Sequence, residues 1–200
     1  KPEVYRRTPD WTPQAAQPLV PDEPVIVLSA AQDAGRKICD AYLLARGLAP
    51  QPLREDEQTE LLKTLLARPR RRELEQASYT LLFGGLSLAA LTHLTRHRMQ
   101  SLCPPQLLQN IRYDRYVLPQ SVRDKGMEAR YRSAFELAGQ AAAQLRDRGA
   151  DESALCYLML SGQTVPVLTT MNAGELYVFF RLRCCTRAQW EIRDAACQAL

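Results

Sequence analysis

Residues 163–200 read "QTVPVLTTMNAGELYVFFRLRCCTRAQWEIRDAACQAL". Their opening, "QTVPVLTTMN" (163–172), is rich in β-branched residues and reads as extended chain. "AGELYVFFRLRCC" (173–185) and "RAQWEIRDAACQAL" (187–200) read as two helices in close succession. Asn172 and Glu175 fall at the strand-to-helix junction, and Arg183 two turns further on. By helical spacing Arg183 falls on the face of Leu176 and Phe180. A guanidinium on so apolar a face either meets an anion or snorkels to water.

Working towards the N-terminus, "MEARYRSAFELAGQAAAQLRDRGA" (127–150) predicts the longest helix, stopped at Gly149. Asp151 caps a shorter one running to Leu160. "LSLAALTHLTRHRMQS" (86–101) reads as a helix with a buried first half and Ser87 as its cap. "ASYTLLF" before it reads as a strand broken by Gly84 and Gly85. Helices are expected from about Ala31 to Arg46, ended by Gly47, and over 54–69, stopped by Pro69; "VIVLSAAQ" (25–32) begins as a short buried strand. Six prolines in residues 1–24 make that stretch an extended arm. The class is α+β: a helix-rich single domain over 25–200 with a small antiparallel sheet, preceded by the proline-rich arm 1–24.

The chain has 200 residues, 46% apolar and 24% charged, with net charge +4. That composition suits one globular domain and lacks the strong basicity of a dedicated nucleic-acid binder. Lysine occurs only at Lys1, Lys37, Lys63 and Lys125, so the positive charge is almost all arginine, the residue of bidentate phosphate and carboxylate recognition. The six cysteines lack zinc-ligand spacing. No apolar run approaches the ~20 residues of a membrane span. The expectation is a cytoplasmic protein with reduced thiols and neither a membrane nor a nucleic-acid partner.

Arg96-His97-Arg98 ends the helix predicted over 86–101. Such a triplet is either a solvated helix end or the rim of a site for a phosphate or a polar ring system. His93 and His97 would share one helix face, but "HLTRH" lacks the glutamate of metalloprotease chemistry and has no third ligand, so no metal is assigned.

Arg96-His97-Arg98-Met99-Gln100-Ser101 and "FFRLRCCTRAQWEIRDAA" together resemble the flavin-dependent thymidylate synthase family, which carries an R-H-R-x-x-S signature and an "AQWEI" tail shortly after a Leu-Arg pair. The resemblance extends weakly from about residue 70 to the C-terminus. It implies an α+β homotetramer with active sites between subunits. It also implies FAD, NADPH and methylenetetrahydrofolate as cofactors in methylating the uracil C5 of dUMP. Carried over by position, Arg96, His97 and Arg98 would line the flavin with Glu75 and Asn172. Arg183 would contact and activate the uracil, and Arg112, Asn110 and Arg96 would help hold the nucleotide. Tyr113, Tyr116 and His93 are pocket walls at most.

The departures cluster on the nucleotide side. Asn110 stands where the family has a serine, Cys156 where it has a phosphate-binding arginine, and Arg187 where a histidine usually precedes "AQW". The upstream folate-linked histidine has no match in "RPRRRELEQ". A rebuilt nucleotide pocket suggests an altered nucleotide, because a ribose 2′-OH needs room and a polar partner. The expectation is therefore a uridylate methylase that accepts UMP as well as dUMP, similar to the family's methylase of polyoxin nucleoside-antibiotic biosynthesis. The alternatives are an ordinary dUMP-specific synthase and a degenerate homologue that only binds flavin or nucleotide. The adjacent Cys184 and Cys185 are read as packing.

Overall fold

In the computed structural model, which describes residues 24–110 and 112–200, the junction at Asn172 forms as the sequence predicts. Strand β4 (Thr164–Asn172) runs directly into helix α8 (Ala173–Arg183), and α9 (Trp190–Ala199) follows. The proline-rich arm lies outside the described residues, apart from Pro24.

Before this unit come β1 (Val25–Ala30), α1 (Ala34–Leu44), α2 (Glu55–Ala67) and a 3₁₀ turn over Arg72–Gln76. Next are β2 (Ser78–Ser87), α3 (Leu88–Leu94), β3 (Ser101–Cys103) and α4 (Leu107–Asn110). The short α5 (Gln120–Asp124), the long α6 (Glu128–Asp147) and α7 (Glu152–Leu155) complete the order. The sheet is antiparallel with strand order β1-β2-β4-β3. No helix among the described residues is long and apolar enough to cross a membrane.

Alternation decides which face of the sheet is covered. Leu81 and Phe83 of β2 and Val165, Val167 and Met171 of β4 point to one side. There they pack with Ala90 and Leu94 of α3, Leu176 and Phe179 of α8, and Ile192 and Ala196 of α9. Burial of such side chains contributes about 1.5–3 kcal/mol each. A second cluster, Ile38, Leu65, Leu74 and Ala77, joins α1 and α2 to the 3₁₀ turn. On the far face of the sheet Thr80 and Thr170 share a hydrogen bond and Leu168 is exposed.

Four local expectations are corrected. First, among the described residues β1 is an edge strand, not a buried one: Val27 and Leu28 are more than half exposed, because β1 pairs there with β2 alone and a bulge falls between Val27 and Ser29. Second, Gly84 and Gly85 do not end β2. They form a bulge between Phe83 and Leu86, and the strand resumes. Pro166 sits opposite that bulge in β4, where β3 has not yet begun to pair, so its missing donor costs no ladder bond.

Third, the helix expected over 86–101 spans only Leu88–Leu94, and residues 101–103 are a strand. Ser87 does cap it, its Oγ accepting from Ala90 N. At its end the Gln100 side-chain amide and the His97 backbone N–H both donate to the Leu94 carbonyl. Fourth, the helix capped by Asp151 stops at Leu155 and tightens into a 3₁₀ turn over Cys156–Leu158, short of Leu160.

Candidate active site

Residues 95–100 connect α3 to β3 and are fastened at both ends. Gln100 donates to Leu94 O at 2.7 Å and accepts from the Thr169 hydroxyl at 2.7 Å. Thr169 is fully buried, and its strand also pairs with Leu102. The loop is thereby pressed against α8, and His97, 5% exposed, drops its ring onto that helix.

The ring lies along Glu175, Phe179 and Arg183, which recur every four residues and so form one stripe of α8. His97 Nδ1 is 3.0 Å from Glu175 Oε1. Its ring meets Phe179 edge-on at 5.2 Å between centroids. Arg183 Nε donates to His97 Nε2 at 3.0 Å, and Arg183 Nη2 donates to the His93 carbonyl at 3.0 Å. By helical spacing Arg183 also borders Leu176 and Phe180, the face expected from the sequence. The shared His93–His97 helix face does not form, since α3 stops at Leu94. Among the described residues no group of three potential metal ligands exists.

An arginine Nε carries a hydrogen in every accessible state, so His97 Nε2 must accept. The hydrogen of the neutral ring then sits on Nδ1 and is donated to Glu175. Burial and the adjacent Arg183 charge push the His97 pKa below the usual imidazole value, against the opposing pull of Glu175. Burial, and then repulsion from Arg96, lowers that of Arg183.

Arg96 and Arg98 are exposed on the same loop, with no ion pair to a carboxylate among the described residues. Beyond the C-terminal end of α8 a cavity of about 340 Å³ is lined by Arg181, Leu182, Arg183, Cys185, Arg187 and Ala188. Three guanidinium-bearing residues around one concavity suit an anion. Burial and a hydrogen bond with Cys197 push the Cys184 thiol up to about 11. Hydrogen bonds with Arg187 pull Cys185 down.

At the other end of α8, Asn172 is the N-cap, its Oδ1 accepting from Glu175 N at 2.8 Å. Glu75 is exposed on the 3₁₀ turn that packs against α8, and Ala173 N donates to Ala77 O. Arg112 and Asn110 stand apart from the His97 cluster. Arg112 forks onto Asp114 at 3.0 and 2.9 Å, and the Asn110 amide donates back to Gln106 O. The structure therefore joins Arg183 with the Arg96-His97-Arg98 loop directly and leaves the side chains of Arg112 and Asn110 with local partners.

Sequence reasoning missed the part played by Glu175, Gln100 and Thr169. The spacing Glu175, Phe179, Arg183 was the available signal for the first. The "AQWEI" stretch turns out to be largely architectural. Gln189 caps α9 through Ile192 N, and Glu191 accepts from both the backbone N and the hydroxyl of Ser87, tying α9 to the start of α3.

The sequence matches known proteins. The profile of a family described as "Thymidylate synthase complementing protein" matches residues 21–200. The chain is 36% identical over 130 residues to a flavin-dependent thymidylate synthase of Sulfolobus acidocaldarius, covering 64% of this chain and 50% of that protein. To the enzyme of the same name from Geobacter sulfurreducens it is 36% identical over 157 residues, 75% of this chain and 66% of that one. To that of Clostridium tetani it is 27% identical over 199 residues, 90% and 77% respectively. The chain thus spans about half the length of the Sulfolobus acidocaldarius relative it matches.

Proposed function

The chain belongs to the thymidylate synthase complementing protein family, and from that premise we propose that it is a flavin-dependent methyltransferase acting on the uracil C5 of UMP and dUMP. Its setting would be the cytoplasm and its pathway nucleoside-antibiotic biosynthesis. Held by the residues named below, FAD reduced by NADPH would supply the hydride, and methylenetetrahydrofolate would supply the carbon. The donor set fits a dinucleotide: among the described residues Arg96 and Arg98 have no carboxylate partner and offer guanidinium groups suited to a pyrophosphate, and Asn172 makes no bond there through its side-chain N–H groups while its oxygen caps α8. Glu75 would complete that flavin-binding set, and His97 would anchor its loop from within the protein.

The observation that carries the reading is the hold on Arg183. Two acceptors that bear no full charge, an imidazole nitrogen and a carbonyl oxygen, fix the guanidinium. Among the described residues its positive charge is therefore not cancelled locally, and Nη1 is uncommitted. A uracil placed against it would have the charge on its oxygens stabilised as C5 becomes nucleophilic, which is the pre-organised electrostatic help that such a step needs. The arginine-lined cavity alongside would take an anionic group of a bound reactant. Arg96 would reach the nucleotide as well as the flavin.

UMP acceptance rests on the rebuilt segment. Asn110 and Arg112 would hold the nucleotide there, Arg112 through the Nη1 that Asp114 does not use. The assembly is a homotetramer with sites between subunits, as the family resemblance implies. Product analysis tests the reading: wild type given FAD, NADPH, methylenetetrahydrofolate and dUMP or UMP should yield the 5-methyl nucleotide. Arg183→Ala should lower turnover roughly 100- to 1,000-fold, the usual loss for one such donor. Absence of product from wild type with both nucleotides overturns it.

A further inference from the structure

We propose that Glu175 is a positioning residue: by accepting the hydrogen bond from His97 Nδ1 it selects the tautomer whose Nε2 receives Arg183 Nε, and so sets the guanidinium that meets the substrate. The inference deepens the methylation reading and rests on it for the role of Arg183. The relay itself rests on geometry alone.

The two 3.0 Å contacts admit one proton arrangement for a neutral ring. With the hydrogen on Nε2 instead, two N–H groups would face each other and Glu175 would face a lone pair, so both contacts would be repulsive. Protonation has the same effect on one side. It keeps the bond to Glu175 but places a second cationic donor against Arg183. The charged groups around the ring are Glu175 and Arg183, with Arg96 acting on Arg183 from beyond; the remaining ring contact is Phe179. Glu175 and His97 are both more than nine-tenths buried, so water offers neither a substitute partner.

The arrangement separates two jobs. A carboxylate placed directly on Arg183 would orient it and neutralise it together. Placed behind a neutral imidazole, Glu175 orients the guanidinium and leaves its charge for the substrate. Histidines that serve as metal ligands are oriented in the same way by a carboxylate on the far ring nitrogen.

The test uses the full chain labelled with ¹⁵N-histidine, in which only His93 and His97 contribute signals. In wild type, His97 should show a hydrogen-bearing Nδ1 and a bare Nε2. In Glu175→Gln the amide oxygen can still accept, so the tautomer should persist. Loss of the negative charge should move the His97 titration to lower pH, and with it the acid limb of uridylate turnover. In Glu175→Leu the tautomers should mix and kcat should fall on the order of 10- to 100-fold, with the glutamine variant recovering most of it. An Nε2-protonated His97 in wild type, or a His97 titration unmoved in Glu175→Gln, would overturn the proposal. The predicted spectra in a protein that methylates no nucleotide would sink the methylation reading and uphold the relay.

Discussion

Arg183 is half-buried and close to Arg96, two conditions that penalise a charge, yet it is held by groups that cancel none of it. Structures seldom carry such a cost without a use for it. His97 bears the same tension and makes it measurable. Its folded pKa lies below the unfolded value of about 6.5, so the unfolded chain binds the proton more readily. The stability this group contributes is present above that unfolded value and is lost as pH falls through the folded one. A plot of melting temperature against pH should therefore slope downward on the acid side of about 6.5, less steeply in His97→Gln; equal slopes would contradict the assignment. Cys185, drawn down by Arg187, should alkylate before Cys184, which is pushed up to about 11. Mass mapping after brief iodoacetamide treatment decides the order. From sequence, Arg183 and Arg96-His97-Arg98 were legible because the motifs fix them. Glu175 was not, because its partner comes from a loop 78 residues away in sequence.

At the scale of elements, the Arg96-His97-Arg98 loop is only as fixed as its fastenings. Gln100 joins the end of α3 to the buried Thr169 of β4. Gln100→Ala leaves the buried Thr169 hydroxyl without its acceptor and Leu94 O with the His97 N–H alone; it should cost about 1–3 kcal/mol, visible as a lower melting temperature and faster hydrogen exchange at residues 96–98. An unchanged exchange pattern would mean that α3 and β3 suffice to hold the loop. Glu191→Ala should cost a similar amount by freeing the Ser87 N–H and hydroxyl at the start of α3. The longer helices α1, α2, α6, α8 and α9 were legible from apolar spacing and their stop signals. The three-residue β3 was not, since so short a strand leaves no period to read and exists only because β4 pairs with it. The bulge at Gly84–Gly85 hid the true length of β2 for a related reason: glycine pairs mark breaks and bends alike, and only the partner strand distinguishes them.

At the scale of the whole molecule, the α+β class followed from strand and helix patterns, whereas the order β1-β2-β4-β3 depends on long-range pairing that local pattern does not encode. The sheet covers one face with α3, α8 and α9, leaving Leu168 exposed on the other and Val27 and Leu28 on an edge. The proposed tetramer gives those surfaces a place to be buried, and light scattering should return four chains per particle. A monomer at micromolar concentration would contradict that assembly. The proposed methyl transfer to uracil C5 with broadened nucleotide choice is tested by one reaction containing UMP and dUMP together, with FAD, NADPH and methylenetetrahydrofolate bearing ¹³C in the methylene group, resolved by mass. The expected result is ¹³C-methyl on both nucleotides. Label on dUMP alone would contradict the broadened choice, and label on neither, with flavin bound and reduced, would contradict the enzyme itself.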